Sequence, residues 1–408
     1  MPSRSPSVLD IDLTRLDANL AAWRRAVGPE VGLCCVVKAD AYGLGAVPVS
    51  RRMQTAGVEM LAVYTADQAR ELVEAGVTTP LLILMPVREI GRADALYRAL
   101  VDGRLHFVAH DAEHAGDLLA IADRFGCRLP VHVEVDTGMS RGGAAPDEAM
   151  RTVERIVDQR RLALAGLMTH FACAEYDEIV TTIQLERFDH FRAECAKRFG
   201  VSPPTHAANT GASARGPSFH LDLVRIGLGW AGYLTDETRR ETNEPIADEL
   251  RGMVRWTTKL AHVKWIEPET TVGYGRAWTA ERPTRVGLVP VGYADGYPLA
   301  LSNRGEVRVR HANGWATAPV IGRVSMDQLT IDLTDVPDDA STVGAEVELL
   351  SDDPAAPNAL PRLARLAESL PYAILCGLSG RVRRRYRQHA EHSSGQSTPR
   401  WSAAPVSD

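Results

Sequence analysis

The stretch that decides the fold is residues 34–45, Cys34-Cys35-Val36-Val37-Lys38-Ala39-Asp40-Ala41-Tyr42-Gly43-Leu44-Gly45. It continues an apolar run, Val31 to Val37, which is short, rich in β-branched residues and bounded by glycine, and these features predict a buried strand. Lys38 ends that strand, where it is unusual because lysine is rarely buried without a partner. Tyr42 follows within one turn, before two glycines that let the backbone bend tightly.

Two interpretations of Lys38 follow from its position at the strand end. A lysine held in a partly dry site has a lowered pKa and can attack an aldehyde to form a Schiff base. Alternatively, the side chain is an ordinary one that lies along the surface and extends its ammonium group into solvent. The choice between them depends on what the other strands deliver to the same end of the sheet.

Length and composition indicate an ordinary globular protein. The 408 residues suffice for two domains or for one large barrel with an appendage. The hydrophobic fraction is 45%, the charged fraction is 24% and the net charge is −6, so no basic nucleic-acid footprint is expected. The chain contains no stretch of about 18 apolar residues, so we expect no membrane span.

Cysteine usage and the N-terminus predict a cytoplasmic protein. Residues 1–7 are polar and lack the apolar core of a signal peptide. The six cysteines show neither metal nor disulfide spacing, which fits a reducing compartment; they are Cys34, Cys35, Cys127, Cys173, Cys195 and Cys376.

The first 245 residues repeat a rhythm of strand and then helix. Helical patterns occur between most of the predicted strands, for example over Asp111–Phe125 and Pro146–Gln159. Eight parallel strands with crossover helices predict an α/β fold, a (β/α)8 barrel. The predicted strands are Val31–Val37, Met60–Tyr64, Leu81–Met85, Leu105–Ala109, Val131–Val135, Leu162–Thr169, Thr205–Ala208 and Leu223–Leu228.

The pattern changes after residue 245, where alternating segments broken by turn signals predict a mainly β domain. We predict a barrel over residues 14–245 and a β domain formed by residues 1–13 and 246–388. Its strands are Met253–Ile266, Arg285–Val291, Glu306–Arg310, Thr317–Val324, Leu329–Leu333 and Glu346–Leu350, followed by a helix from about Arg362 that Pro371 stops. The basic run Arg381–Arg387 predicts a final strand, and residues 389–408 are expected to be disordered.

Chemistry-bearing side chains collect at the carboxyl ends of the predicted barrel strands, where the active sites of such barrels lie. The first strand gives Lys38 and Tyr42, and the fifth gives Glu134, Asp136 and Arg141. The sixth ends at His170, the seventh at Asn209-Thr210-Gly211, and the eighth carries Arg225, Gly227 and Leu228. Phosphate sites commonly follow the seventh and eighth strands. A Schiff-base lysine opposite such a site points to pyridoxal phosphate.

Each of these signals has a plainer alternative. Residues 227–232 match G-x-G-x-x-G, but no fresh βαβ unit surrounds them, so we reject a dinucleotide site. His170 alone is more often structural, and Arg225 alone is more often part of a buried ion pair. His106, His110 and His114 fall at four-residue intervals, but the first two lie on or just after a strand, which makes a metal site unfavourable.

Taken together, the motifs resemble those of the alanine racemase family, which are fold-type III pyridoxal-phosphate enzymes. The resemblance extends from about Leu13 to Arg383. The motifs that carry it are Val37-Lys38-Ala39-Asp40-Ala41-Tyr42-Gly43, Asp136-Thr137-Gly138-Met139, Thr169-His170-Phe171-Ala172, Ala208-Asn209-Thr210, Val224-Arg225-Ile226-Gly227, Gly273-Tyr274-Gly275-Arg276, Gly292-Tyr293-Ala294-Asp295-Gly296 and Ser325-Met326-Asp327-Gln328.

The resemblance implies a role for each matching residue. Lys38 would hold pyridoxal phosphate as a Schiff base and act as one base, and Tyr274 of a second subunit would be the opposite base. His170 would support Arg225 at the pyridine nitrogen, and Met326 and Asp327 would bind the substrate carboxylate from the second chain. Arg141 would contact the phenolic oxygen of the cofactor and the substrate. The remaining implied cofactor-binding residues, chiefly around the phosphate, are Tyr42, Asn209, Thr210, Gly227, Leu228 and Tyr372.

This resemblance also implies a homodimer, because the β domain of one chain would cap the barrel of the other. The partners expected are therefore a small amino-acid substrate and a second copy of the chain, with no nucleic acid, membrane or metal. The reaction would interconvert L- and D-alanine by removing the α-proton on one face and returning one on the other.

Four positions depart from the family pattern. Glu134 stands where many members carry a carbamylated lysine that orients the cofactor-contacting arginine, and we predict that it pairs with Arg141 directly or through water. Leu299 replaces an arginine at the substrate entry, Leu44 replaces a histidine, and Thr210 replaces a serine. A racemase acting on another amino acid in a secondary pathway therefore stays open.

Two further classes compete with a racemase. A fold-type III amino-acid decarboxylase would share Lys38 and the phosphate site, but such enzymes typically place a cysteine where this chain has Tyr274. A non-catalytic pyridoxal-phosphate carrier would need neither a second base nor a complete β domain. The sequence favours the racemase over both.

Overall fold

The parts of the chain described by the computed structural model are residues 7–91, 94–242 and 245–388. The predicted disordered tail, 389–408, lies outside the described residues. Within them, no helix is both long and apolar enough to cross a membrane.

The chain begins with strand β1 (Val8–Asp12), and the next eight strands run parallel to one another in a single sheet. Nearly all of their residues are buried, as in a sheet that is covered on one face and packed inside on the other. They are β2 (Gly32–Val36), β3 (Met60–Val63), β4 (Leu81–Ile83), β5 (Leu105–Ala109), β6 (Leu129–Glu134), β7 (Leu162–Met168), β8 (Thr205–His206) and β9 (Leu223–Ile226).

The sheet curls into a near-closed barrel with the order β8-β7-β6-β5-β4-β3-β2-β9. Strands β8 and β9 form its two ends, and backbone hydrogen bonds link them. The Asp222 N–H donates to the Thr205 carbonyl at 3.0 Å, and the Arg225 N–H donates to the Ala208 carbonyl at 2.9 Å. The predicted eight-stranded barrel is therefore confirmed, and the carboxyl ends of its strands share one rim.

Helices cover the outside of this barrel and connect its strands. Asp12 caps α1 by accepting hydrogen bonds from the Thr14 and Arg15 amides, a typical start for a helix. The barrel helices are α1 (Leu13–Val27), α2 (Lys38–Gly43), α3 (Ala46–Thr55), α4 (Ala66–Glu74), α5 (Leu96–Val101), α6 (Ala112–Phe125), α7 (Pro146–Val157), α8 (Glu178–Phe199), α9 (Thr210–Arg215), α10 (Asp236–Glu241) and α11 (Ile246–Glu249).

The second unit is built on a nine-stranded sheet with the order β11-β14-β17-β16-β15-β18-β10-β1-β19. Strand β1 lies in this sheet, between β10 and β19, so both ends of the described chain join the same unit. Its strands are β10 (Val254–Lys259), β11 (His262–Ile266), β14 (Thr284–Val289), β15 (Glu306–His311), β16 (Gly314–Ile321), β17 (Leu329–Asp332), β18 (Glu346–Leu350) and β19 (Arg383–Arg387), and β12 (Thr271–Val272) pairs separately with β13 (Trp278–Thr279).

Two local predictions for this unit are wrong. The single strand predicted over Met253–Ile266 is two strands, because β10 pairs with β1 and β18 whereas β11 pairs with β14. Pro371 does not stop the preceding helix, α12 (Leu360–Leu366), which already ends at Leu366. It begins another one, α13 (Pro371–Cys376), because the fixed φ of proline suits the first helical position. Helix α13 carries Tyr372 towards the barrel.

Candidate active site

Lys38 is followed by a left-handed turn, which is the most unusual piece of backbone in the protein. Four consecutive residues that are not glycine have positive φ angles of 51–58°; they are Ala39, Asp40, Ala41 and Tyr42. Left-handed geometry costs about 1–2 kcal/mol per residue, so the turn stores roughly 4–8 kcal/mol of strain. Sustained strain of this kind is typical of functional sites, where the surroundings hold it in place.

Contacts from three directions hold the turn. The Asp40 carboxylate accepts a hydrogen bond from the Ala46 N–H at 2.6 Å, which closes the turn onto α3. Arg384 of β19 donates to the Gly43 carbonyl at 3.0 Å. A Cβ on Gly43 would lie 2.5 Å from the Leu375 carbonyl, so only glycine allows α13 to approach this closely. The turn thus positions Lys38 and Tyr42 against the barrel mouth.

The Lys38 amine faces a cavity of about 840 Å³ at the carboxyl ends of the barrel strands. Burial lowers the pKa of Lys38, and the positive charge of Arg141 lowers it further. A lowered pKa increases the fraction of neutral amine, which is the nucleophilic form. The solvated alternative for Lys38 therefore does not describe this site.

Most of the predicted site residues line the same cavity. These residues are Lys38, Tyr42, Glu134, Arg141, His170, Asn209, Thr210, Arg225, Gly227 and Tyr372. Leu228 is buried next to them, and its backbone N–H donates to the Tyr372 hydroxyl. They come from both ends of the sequence, and the barrel with α13 brings them together.

Three hydroxyl groups converge on Gly227 at one end of the cavity. A Cβ built on Gly227 would lie 3.0 Å from the Tyr42 hydroxyl, 3.4 Å from the Thr210 hydroxyl and 3.6 Å from the Tyr372 hydroxyl. Burial raises the pKa of Tyr372 to about 12 and that of Tyr42 well above its usual value, so both phenols stay protonated donors. A cradle of hydroxyl donors that only glycine leaves open fits a phosphate group.

Arg225 lines the cavity deeper in the barrel, and no carboxylate among the described residues pairs with its guanidinium. Its Nη1 donates to His206 Nδ1 at 2.8 Å and to the His206 carbonyl at 2.9 Å. Its Nη2 donates to the carbonyls of Thr169 and Ala207 and to His170 Nδ1 at 3.1 Å. The Nε–H makes no hydrogen bond within the described residues, so this donor is available to an acceptor such as a pyridine nitrogen.

A chain of three buried histidines continues from Arg225 through the barrel interior. His206 Nε2 lies 2.8 Å from His132 Nδ1, and His132 Nε2 lies 2.9 Å from His106 Nδ1. A guanidinium only donates, so His206 must accept at Nδ1. His206 therefore donates its Nε2–H to His132 Nδ1, and His132 donates its Nε2–H to His106 Nδ1. Burial lowers the pKa of His106 to about 4 and those of the other two well below 6.5. The chain is therefore neutral.

Glu134 has a different direct partner from the one predicted. Its Oε2 lies 3.1 Å from His110 Nδ1, whereas Arg141 makes no ion pair or hydrogen bond within the described part of the chain. The reason is the register of β5 and β6, in which Ala109 pairs with Val133, so the residues that follow them lie side by side. The predicted direct pairing of Glu134 with Arg141 is corrected accordingly.

Tyr274, Met326 and Asp327 lie apart from this cavity. They line a separate depression of about 560 Å³ on the second unit, together with Gly273, Ser325 and Gln328. The Tyr274 side chain is 71% exposed and that of Met326 is 54% exposed, so this surface is open to another molecule. Within one chain, the structure does not bring Tyr274 to Lys38.

Two cavity residues were missed by the sequence reasoning. Glu175 accepts a hydrogen bond from the Asn209 side chain at 3.1 Å, and burial raises the pKa of its carboxyl. His110 was considered only as part of a metal pattern. Its signal was its position directly after a barrel strand, the same position that singled out Lys38 and His170.

Comparison with known proteins agrees with this geometry. The family model described as alanine racemase, N-terminal domain, matches residues 11–235, and the one described as alanine racemase, C-terminal domain, matches residues 253–386. The alanine racemase of Halothermothrix orenii is 35% identical over 383 residues, which cover 94% of this chain and 97% of that protein.

Solved structures give the same result. The alanine racemase from Streptomyces coelicolor A3(2) superposes with a TM-score of 0.84 at 31% identity, covering 94% of this chain and 98% of that one. The alanine racemase from Bartonella henselae with covalently bound pyridoxal phosphate superposes with a TM-score of 0.80 at 25% identity, covering 95% and 100%. This chain belongs to the alanine racemase family.

Proposed function

We propose that this protein is a pyridoxal-phosphate-dependent alanine racemase that forms D-alanine and acts as a homodimer with shared active sites. The observation that carries the proposal is the partly buried Lys38, which lines the same cavity as the hydroxyl cradle and Arg225. The relatives named alanine racemase, and the Bartonella henselae structure with its covalently bound cofactor, support the choice of reaction and cofactor.

Each group of cavity residues would bind a different part of the cofactor. Lys38 would be the covalent attachment point, the hydroxyls around Gly227 would hold the phosphate, and the Nε–H of Arg225 would donate to the pyridine nitrogen. Arg141 contacts the phenolic oxygen. When bound, pyridoxal phosphate withdraws electrons from the substrate's α-carbon and makes its proton acidic. Arg225 leaves the ring nitrogen unprotonated, because a guanidinium does not give up its proton at neutral pH.

Racemisation requires one base on each face of the α-carbon. Lys38 Nζ takes or returns the proton on one face, which its lowered pKa favours. Tyr274 of the partner subunit serves the other face through its hydroxyl. Its exposure on a surface separate from the cavity supports delivery from a second copy of the chain.

Substrate recognition in this proposal uses the backbone amides beside Tyr274. The Asp327 carboxylate already binds Arg381 at 2.7 Å, and a bare carboxylate would repel an amino acid's own carboxylate. The carbonyl of Met326 accepts from Ala294, whereas the amides of Met326 and Asp327 make no hydrogen bond within the described residues. These two amides, together with Arg141 of the opposite chain, therefore suit the carboxylate of a small amino acid.

The proposed reaction is tested by proton NMR in D2O with pyridoxal phosphate and a panel of L-amino acids. We expect the α-proton of alanine to exchange and D-alanine to appear on chiral chromatography. Exchange confined to another amino acid would move the substrate and keep the chemistry. Retention of every α-proton alongside a Schiff-base absorbance would refute the racemase and favour a decarboxylase or a carrier.

The shared site is tested by mixing inactive variants. Lys38→Ala and Tyr274→Phe subunits each lack one base, and a mixed dimer has one site that keeps both. Random pairing at equal amounts should restore about a quarter of the wild-type activity, since about half of the dimers are mixed and one of their two sites is complete. The matched control is Tyr97→Phe, which removes a hydroxyl from another exposed tyrosine outside the site and should leave the activity at the wild-type value. No restoration after subunit exchange would contradict the shared site.

A further inference from the structure

His110 and Glu134 form a contact that the proposed reaction does not use. They follow two neighbouring parallel strands, β5 and β6, and the Ala109–Val133 register sets them side by side. Their side chains are 15% and 12% exposed and both line the cavity. An imidazole beside a carboxylate in an active-site wall forms an ion pair only when it holds a second proton, so this contact depends on the protonation of His110.

Hydrogen bonding settles the protonation of one ring nitrogen of His110, whereas two neighbouring groups compete for the other nitrogen. Its Nε2 lies 3.0 Å from the Leu84 carbonyl, so Nε2 carries a proton. Its Nδ1 lies 2.9 Å from the Gly143 amide nitrogen and 3.1 Å from Glu134 Oε2. A neutral ring accepts the Gly143 N–H at Nδ1, whereas a protonated ring donates from Nδ1 to Glu134. The two bonds exclude each other.

His110 Nδ1 also contacts the segment that carries Arg141, through the Gly143 amide. Gly143 has a left-handed φ of +78°, and a Cβ there would lie 2.7 Å from the Glu134 carbonyl, so the segment runs directly over Glu134. A Cβ on Gly142 would lie 3.1 Å from Glu134 Oε2. Arg141 itself makes no hydrogen bond within the described residues, so its position depends on this backbone.

We infer that His110 is a positioning residue for Arg141, and that a proton shared with Glu134 decides whether the 141–143 segment is fastened to the imidazole. Unprotonated His110 holds the Gly143 N–H and steadies Arg141 at the cavity. Protonated His110 turns to Glu134 and releases the Gly143 amide. The inference rests on the proposed function for the role of Arg141, but the coupling itself concerns only these side chains.

The charged neighbours of His110 set the pH at which the change occurs. Burial lowers the pKa of His110, but the hydrogen bond and charge of Glu134 outweigh it and the net direction is upward, with a smaller contribution from Asp111. His114 of α6 stacks on His110 at 6.0 Å between ring centroids, and its own pKa is lowered. The segment is therefore fastened above a pKa that exceeds 6.5 and released below it.

The test follows the Gly143 amide and the His110 ring nitrogens by ¹H–¹⁵N NMR of the cofactor-loaded protein across pH. We expect the two signals to titrate with one shared midpoint above pH 6.5. In His110→Gln the side-chain oxygen still accepts the Gly143 N–H, so the amide should stop titrating while kcat/KM stays within a few-fold. In His110→Phe, loss of the acceptor should lower kcat/KM on the order of ten- to a hundredfold.

The control variant is His114→Gln, which changes a neighbouring buried histidine bonded to the Val87 carbonyl and not to Glu134 or Gly143. It should leave the Gly143 titration in place. A Gly143 amide that ignores the His110 midpoint, or equal kinetics for His110→Gln and His110→Phe, would overturn the inference. The NMR titration needs no turnover, so a shared midpoint in a protein that does not racemise alanine would refute the proposed function and leave the coupling intact.

Discussion

Replacing Gly227 by alanine should fill the hydroxyl cradle. The backbone angles of Gly227 are φ −88° and ψ −124°, which lie between the helical and extended regions that alanine prefers, so some conformational strain accompanies the substitution. The added methyl would lie 3.0–3.6 Å from the hydroxyls of Tyr42, Thr210 and Tyr372. The shortest of these distances is tighter than an ordinary methyl contact, so the Tyr42 hydroxyl must shift slightly, and no room is left for a phosphate oxygen between the three donors.

The expected loss follows from the hydrogen bonds that the methyl group displaces. A hydrogen bond to a charged group is worth about 1.5–3 kcal/mol, so losing two of them weakens binding by roughly 3–6 kcal/mol, which is at least about a hundredfold. The assay is titration of the cofactor-free Gly227→Ala protein with pyridoxal phosphate, followed by absorbance. Thermal unfolding of the cofactor-free protein should stay cooperative, with a lowered midpoint that reports the strain at residue 227 separately.

A matched control separates the cradle from the general effect of a glycine substitution. Gly380 has open space around its Cβ position and no positive φ, so Gly380→Ala should leave the affinity at the wild-type value. If Gly227→Ala binds pyridoxal phosphate as tightly as the wild-type protein does, the phosphate does not lie among the three hydroxyls and the reasoning fails.

Three other predictions concern charges in the site. Covalent attachment of pyridoxal phosphate to the cofactor-free protein, followed by stopped-flow absorbance, should accelerate with pH. Its midpoint should lie below pH 10.5, because burial and Arg141 lower the pKa of Lys38. Arg141→Gln should move that midpoint upward. If the negative charge of Glu134 replaces that of the carbamylated lysine found in many family members, Glu134→Lys should keep activity only where ¹³C NMR detects a carbamate on the new lysine. Full activity without a carbamate would refute this replacement. By ¹⁵N NMR, His106 should be the neutral Nε2–H tautomer at pH 7. An imidazolium there would contradict the donor-to-acceptor direction that Arg225 sets along the three histidines.

The amino-acid sequence alone was enough to predict the barrel and most of its rim. Buried parallel strands appear as short apolar runs, and the residue that ends each run must lie at the same edge as the others. Lys38, His170 and Arg225 could therefore be assigned to one cavity from their places in the sequence. The family resemblance added Tyr274 and Tyr372, whose positions no periodicity relates to the barrel.

Only the tertiary structure decided which side chains touch. Charge suggested that Glu134 would pair with Arg141, but strand register gave it His110, because the residues after two paired positions are neighbours whatever their charge. Arg225 likewise received imidazoles and carbonyls rather than a carboxylate.

The backbone around Lys38 was also beyond sequence reasoning. Nothing in Ala39-Asp40-Ala41-Tyr42 favours left-handed geometry, and alanine disfavours it. The turn exists because the Ala46 amide, Arg384 and α13 hold it from three sides. Local sequence sets local preference, and strain against that preference is sustained only by contacts that form when distant parts of the chain meet.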